Sequence, residues 1–197
     1  MIRRLTSSAF LAPAAALALS GCGLNTIPTA EENAKARWAD VQNEYQRRAD
    51  LIPNLVSTVK GYAKQEQTVL VGVTQARADA SAVHLSGDDL KDPAKVQAFE
   101  KAQQGVTVAL NRLQPLQENY PDLKSNANFM ALQSQLEGTE NRITIARRDY
   151  NEAVQAYNTQ IRTFPNSIGA KVFYGAKPMV PFTATTPGAQ TAPTVSF

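Results

Sequence analysis

Between Trp38 and Ala76 the chain repeats with a period of seven: Trp38, Val41, Tyr45, Arg48, Ile52, Leu55, Val59, Tyr62, Glu66, Val69, Val73, Ala76. Alternating steps of three and four put these residues on one side of a helix, a seam that must be buried against other helices. Arg48 and Glu66 keep the register but break its apolar chemistry. Pro53 lies inside the stretch, where a missing N–H and a clash with the carbonyl of Ala49 cost a helix about 3 kcal/mol. Because the seam holds its phase across Pro53, the sequence predicts a kink there and not a stop. The first helix is predicted to run over residues 30–79, with Thr29 as its cap and Glu31 and Glu32 in its first turn.

Residues 81–91 (SAVHLSGDDLK) have turn chemistry and predict a loop. Asp92-Pro93 is a helix start, the acid capping and proline taking the first helical position. The second helix is predicted to reach about Gln117, with Val96, Phe99, Val106, Leu110 and Leu113 as its stripe and Pro115 distorting its end. Tyr120-Pro121-Asp122 marks a corner. A third helix follows from about Asn126 to Thr163, with the stripe Phe129, Leu132, Leu136, Glu140, Ile143, Arg147, Tyr150, Val154, Tyr157, Ile161. Phe164-Pro165 ends it, and residues 167–173 can form a short fourth helix. No stretch alternates as a strand does. The expected fold is all-α, an elongated antiparallel bundle of three long helices plus a short fourth one over residues 30–175. The Pro-, Thr- and Ala-rich tail 176–197 offers little to pack and is expected to be mostly irregular.

The first 22 residues have the makeup of an export signal. Arg3 and Arg4 precede an apolar run, AFLAPAAALAL, too short to span a bilayer well. Leu19-Ser20-Gly21-Cys22 resembles the lipobox of bacterial lipoproteins, in which cleavage before the cysteine frees it for acylation. Cys22 is the sole cysteine and has no disulfide partner within the chain. Several acyl chains on one residue give stable anchoring. An uncleaved anchor and an ordinary cleaved signal are the alternatives. Residues 23–29 would be a tether, and Gly23, where an inner-membrane retention signal would carry Asp, favours the outer membrane in a Gram-negative cell. Removing Arg3 and Arg4 from a formal charge of +3 leaves a near-neutral chain with no reason to bind nucleic acid or anionic lipid.

Catalytic chemistry is thin. Nucleophilic catalysis needs a nucleophile beside a base, yet lipidation consumes the cysteine, and the single histidine, His84, falls in a turn-rich loop. No metal-ligand spacing, phosphate loop or cofactor motif occurs. Arg48, Glu66, Glu140 and Arg147 stand where apolar seam residues belong. They either pair across helices and fix register, or form a polar patch for a partner or ligand; acid catalysis by Glu66 and Glu140 is the remote third option. Of the adjacent pairs Arg47-Arg48 and Arg147-Arg148, one member each should be solvated, since helical neighbours point about 100° apart. Asp50 and Asn54 are placed to satisfy backbone groups freed by Pro53.

Gln46 to Val56 (QRRADLIPNLV), Val59-Lys60-Gly61-Tyr62-Ala63, Glu66 and Ala76-Arg77-Ala78 together resemble the LemA family of bacterial membrane-associated proteins. The likeness continues through Glu118 to Lys124, Leu136 to Ile143, Ala146-Arg147-Arg148-Asp149-Tyr150-Asn151, Tyr157-Asn158 and Phe164-Pro165, and the ending Pro193-Thr194-Val195-Ser196-Phe197 is similar to the family's. The resemblance implies a helical bundle attached to a membrane at its N-terminus, and implies weight for the Asp50–Asn54 region. It implies no reaction, cofactor or ligand. Many members carry a transmembrane helix where this chain carries the lipobox-like site. The functional expectation is a non-enzymatic lipid-anchored bundle facing the periplasm, a scaffold or accessory protein for other envelope proteins. A lipid- or small-molecule-binding bundle is the alternative, and self-assembly through remaining apolar faces is a further one.

Overall fold

A computed structural model describes residues 25–183; the lipobox residues Leu19, Ser20, Gly21 and Cys22 and the end of the tail lie outside them. Its elements are α1 (Thr26–Tyr62), α2 (Gln67–Ala82), a 3-10 turn (Asp89–Lys91), α3 (Pro93–Asn111), α4 (Gln114–Asn119), α5 (Pro121–Lys124), α6 (Ala127–Gln160) and α7 (Asn166–Val172). Among the described residues there is no strand, and no helix is long and apolar enough to cross a membrane. The all-α antiparallel bundle is as the seams predict.

One helix expected from the heptads is two. α1 passes through Pro53 without stopping, then ends at Tyr62, and the chain turns over at Ala63–Glu66 and comes back as α2. The reversal is visible in contacts: Arg77 reaches Ala49, and Trp38 Nε1 donates to the Leu85 carbonyl. Ala63 (φ −120°, ψ 58°) leaves helical geometry just after Gly61, a residue that favours helix less than alanine by about 1 kcal/mol. The turn is about one helical turn long, so the apolar residues of both arms stay in phase with one unbroken repeat. The bundle therefore has four antiparallel arms, α1, α2, α3 and α6, of which α1 and α6 are the long pair, in place of three long helices.

Local signals explain most other boundaries. Asp92 accepts from the Ala94 N–H with Pro93 behind it, and Asn126 accepts from the Phe129 N–H at the start of α6. α3 ends at Asn111, four residues before Pro115, and the chain restarts as α4 with that proline in its first turn. Thr29 is not a cap. α1 begins three residues earlier, because Pro28 in a first turn forgoes an N–H that would be unbonded anyway, and the Thr29 hydroxyl donates back to the Asn25 carbonyl at 2.8 Å.

The buried residues fall into two clusters. One holds Trp38, Tyr45, Phe99, Tyr150, Val154 and Tyr157; the other holds Ile52, Leu55, Val59, Val73, Val106, Leu116, Leu123 and Phe129. The layer between them belongs to Arg48.

The tail corrects the expectation of a segment with little to pack. Residues 176–183 are non-helical, yet Met179 and Phe182 are buried in the Trp38 cluster. Asn158 donates to the Met179 carbonyl and accepts its N–H, at 2.8 and 2.9 Å. Asn151 does the same for Phe182, at 3.0 and 2.8 Å. Seven helical residues rise about 10.5 Å and three extended residues about 10 Å, so two asparagines a heptad apart match two backbone positions three apart. Tyr157 Oη donates to the Lys177 carbonyl just before them, and Tyr150 Oη to the Val180 carbonyl between them.

Burial pushes the Tyr157 hydroxyl up to about 12, helped by the Glu31 carboxylate, and burial raises Tyr150 further. A raised folded-state value means stability is intact below pH 10, where tyrosine ionises in the unfolded chain, and falls as pH climbs through the folded values. Denaturant midpoints should therefore hold steady from neutral pH to about 10 and fall above it, and Tyr157→Phe should flatten that alkaline decline.

Candidate functional site

Arg48 is only 2% exposed, and all its hydrogen-bonding partners come from other helices. Its Nη2 donates to the Gln103 carbonyl at 3.1 Å and to Gln103 Oε1 at 2.8 Å. Its Nη1 donates to Thr107 Oγ1 and to Glu140 Oε2, both at 3.0 Å. The guanidinium carbon also stands 5.1 Å from the centre of the Tyr45 ring. One side chain on α1 thus ties α3 and α6 together at the single layer where the apolar core is interrupted. A planar fork of donors suits this role as a lysine ammonium would not.

Arg48 and Glu140 are therefore a pair across helices, as one of the sequence alternatives held. Glu66 and Arg147 are not paired with each other. Glu66 sits at the α1–α2 turn and accepts from Tyr120 Oη at 3.3 Å. Arg147 lies beside the tail: its Nη2 is 3.4 Å from Glu100 Oε1 and 3.0 Å from the Thr183 carbonyl, and its guanidinium covers the Phe182 ring at 4.6 Å. Glu100 also accepts from the Thr183 N–H and hydroxyl. The Arg147–Glu100 pair thus closes over the tail segment. Arg47 and Arg148 are exposed, as helical geometry requires.

Asp50 and Asn54 do not do the work expected beside Pro53. Asp50 is exposed and accepts from Gln46, while Asn54 is exposed and its carbonyl accepts from Thr58. The carbonyl that Pro53 leaves without a helical donor is that of Ala49, and Arg77 Nε on α2 supplies one at 2.7 Å. Two unfavourable features, a proline in mid-helix and a half-buried arginine, answer each other. Arg77→Ala should cost about 1–2 kcal/mol, the usual penalty for leaving a carbonyl unbonded. In a Pro53→Ala background the loss should shrink, because the new N–H serves Ala49; a double-mutant cycle followed by urea unfolding measures the difference.

A cleft of about 300 Å³ opens beside the Arg48 layer, lined in part by Gln42, Tyr45, Arg48, Arg77, His84 and Gln103. No carboxylate is among its lining residues. His84 is exposed there on the loop after α2. Arg77 and Gln103 were the site residues that seam analysis missed. Arg77 lies off the stripe and only the Ala76-Arg77-Ala78 match singled it out, whereas Gln103 occupies the gap between Phe99 and Val106 on the second stripe, a polar residue at a seam position.

The fold and this layer define a class: a four-armed helical bundle whose core is split by a buried arginine network and closed by an extended tail. A family model described as "LemA family" matches residues 37–197, and the chain belongs to that family. Among curated proteins it is similar to the magnetosome protein MamQ 2 of Paramagnetospirillum magneticum, 27% identical over 157 residues. It is also similar to the magnetosome protein MamQ of Magnetospirillum gryphiswaldense, at 26%. Each match covers 72% of this chain and 58% of the relative, so the chain spans well under two thirds of the proteins it resembles.

Proposed function

We propose that the protein is a non-enzymatic, lipid-anchored component of the cell envelope that works by binding other envelope proteins. Family membership supports a membrane-associated, non-enzymatic role. The lipobox-like Leu19-Ser20-Gly21-Cys22 supplies the anchor, on the periplasmic face and, in a Gram-negative cell, at the outer membrane. The observation that carries the reading is how the seam charges are spent. Arg48, Glu140, Arg147 and Glu100 are committed to one another, to backbone groups and to the tail, so they hold helices together instead of converging on a reacting atom. What the molecule offers outward is surface and reach: α1 alone, at 37 residues, is about 55 Å long.

Extraction of the protein from its own membranes in mild detergent, with quantification of what accompanies it, tests this. The expected result is one protein in stoichiometric amount, lost when exposed residues of the α1–α6 face are changed. A homogeneous preparation with nothing bound would contradict it. The second reading, a small-molecule-binding bundle, is favoured by the cleft beside Arg48 and Arg77. Its carboxylate-free lining fits a small anionic ligand, which would then be found in denatured extracts of the same preparation.

A further inference from the structure

α7 is turned inside out. It packs its small residues, Gly169 and Ala170, into the bundle and sends its large apolar ones to solvent. Ile168 and Val172, four residues apart, lie on one side of α7 and are 57% and 69% exposed; Phe164, in the turn just before the helix, is 82% exposed and Phe173, just after it, 70%. A helix stabilised by its own burial would have the opposite pattern. Isolated exposed apolar residues are unremarkable, but four large ones within residues 164–173 mark an interaction surface.

Its position narrows the partner. Asn166 Nδ2 donates to Thr26 Oγ1 at 3.3 Å, so α7 abuts the first residue of α1. Cys22 precedes Thr26 by four residues, a span of at most about 14 Å. If Cys22 carries acyl chains, this end of the bundle cannot leave the bilayer surface. Charge agrees: residues 162–178 contain Arg162, Lys171 and Lys177 and no acid, in a chain whose signs otherwise nearly balance. The nearby carboxylates Glu31 and Glu32 are held by Lys35, and Glu31 also by Lys91.

We propose that Phe164, Ile168, Val172 and Phe173 form a membrane-inserting foot, seated in the interfacial region of an anionic bilayer with Arg162, Lys171 and Lys177 against lipid phosphates. The proposal deepens the lipid-anchored reading and rests on it for the reach of the tether. The foot gives the anchor a direction: acyl chains alone hold the bundle near the membrane, whereas a second contact fixes which way it stands.

The test uses the full chain, matured in its host and placed in vesicles of phosphatidylglycerol and phosphatidylethanolamine containing nitroxide-labelled lipid. Fluorophores are placed on Phe164→Cys, on Lys171→Cys and, at the far end of the bundle, on Ser125→Cys. The expected result is quenching by nitroxide lipid at 164 and 171 at least about threefold above that at 125, since side chains of an interfacial helix sit about 5–10 Å into the headgroup boundary. Changing Phe164, Ile168, Val172 and Phe173 together to serine leaves the core untouched, because all four are exposed. It should keep the circular dichroism and bring quenching at 171 down to the level at 125. Equal quenching at both ends with acylated Cys22 would overturn the foot while sparing the anchor. Quenching at 164 and 171 with unmodified Cys22 would support the foot and sink the anchor. Protection of 164 from a soluble quencher without lipid quenching would overturn it in favour of contact with a second copy.

Discussion

Arg48→Ala destabilises the bundle by about 3–4 kcal/mol, read as a lower midpoint in urea unfolding. Two losses add. The side chain leaves a void between the two apolar clusters, and the Gln103 carbonyl and side-chain oxygen lose their donor in a buried place. Glu140 contributes less to this loss, because its side chain is 50% exposed and water can take over. Glu140→Gln should accordingly cost under about 1 kcal/mol. The asymmetry is the informative part, since a symmetric buried ion pair would suffer similarly from loss of either partner. Arg48→Lys should fall nearer to alanine than to wild type, because the three donors of one compact ammonium cannot reach the four acceptors at Gln103, Thr107 and Glu140 that the planar fork spans.

The second large effect lies in the tail. Phe182→Ala should cost about 3 kcal/mol, at the low end for a buried phenylalanine because a short terminal strap can detach without unfolding the helices. Phe182 sits 5.8 Å from Trp38, 5.4 Å from Tyr150 and 6.5 Å from Phe99, ring centre to ring centre, and Arg147 covers it. Trp38 is the only tryptophan, so emission reports on the surroundings of this one ring, which Phe182 helps to cover. The variant should show red-shifted native emission with helicity retained. It should also show faster hydrogen exchange at the Met179 and Phe182 amides, which Asn158 and Asn151 now hold. An unchanged emission spectrum would mean that the tail does not cover Trp38 in solution.

How far the sequence revealed this molecule follows from what each feature depends on. Positions from Trp38 to Val59 were legible because a helix turns each into a fixed direction, and the caps at Asp92 and Asn126 because they act over two or three residues. The turn at Ala63–Glu66 was hidden by the regularity that made the rest readable: a connection near one helical turn in length leaves the repeat in phase. Arg48 stood out as a charge on an apolar seam, and its pairing with Glu140 could be anticipated. Its contact with Gln103 could not, since it depends on how α3 is seated. The tail was missed because an extended segment gripped by side-chain amides has no periodicity of its own. A trace existed in the helix, where Tyr150-Asn151 recurs as Tyr157-Asn158 one heptad later. Arg77 was missed because the carbonyl it serves is 28 residues away in the chain.

The claim on which the function rests is that the bundle is held at a membrane through Cys22, at the end built from Thr26 and Asn166. Mass spectrometry of the N-terminal peptide of the mature protein, taken from its native membrane, measures this directly. The account predicts a chain beginning at Cys22 with acyl chains on that residue. A chain that retains residues 1–21, or one cut elsewhere with an unmodified Cys22 thiol, would contradict it.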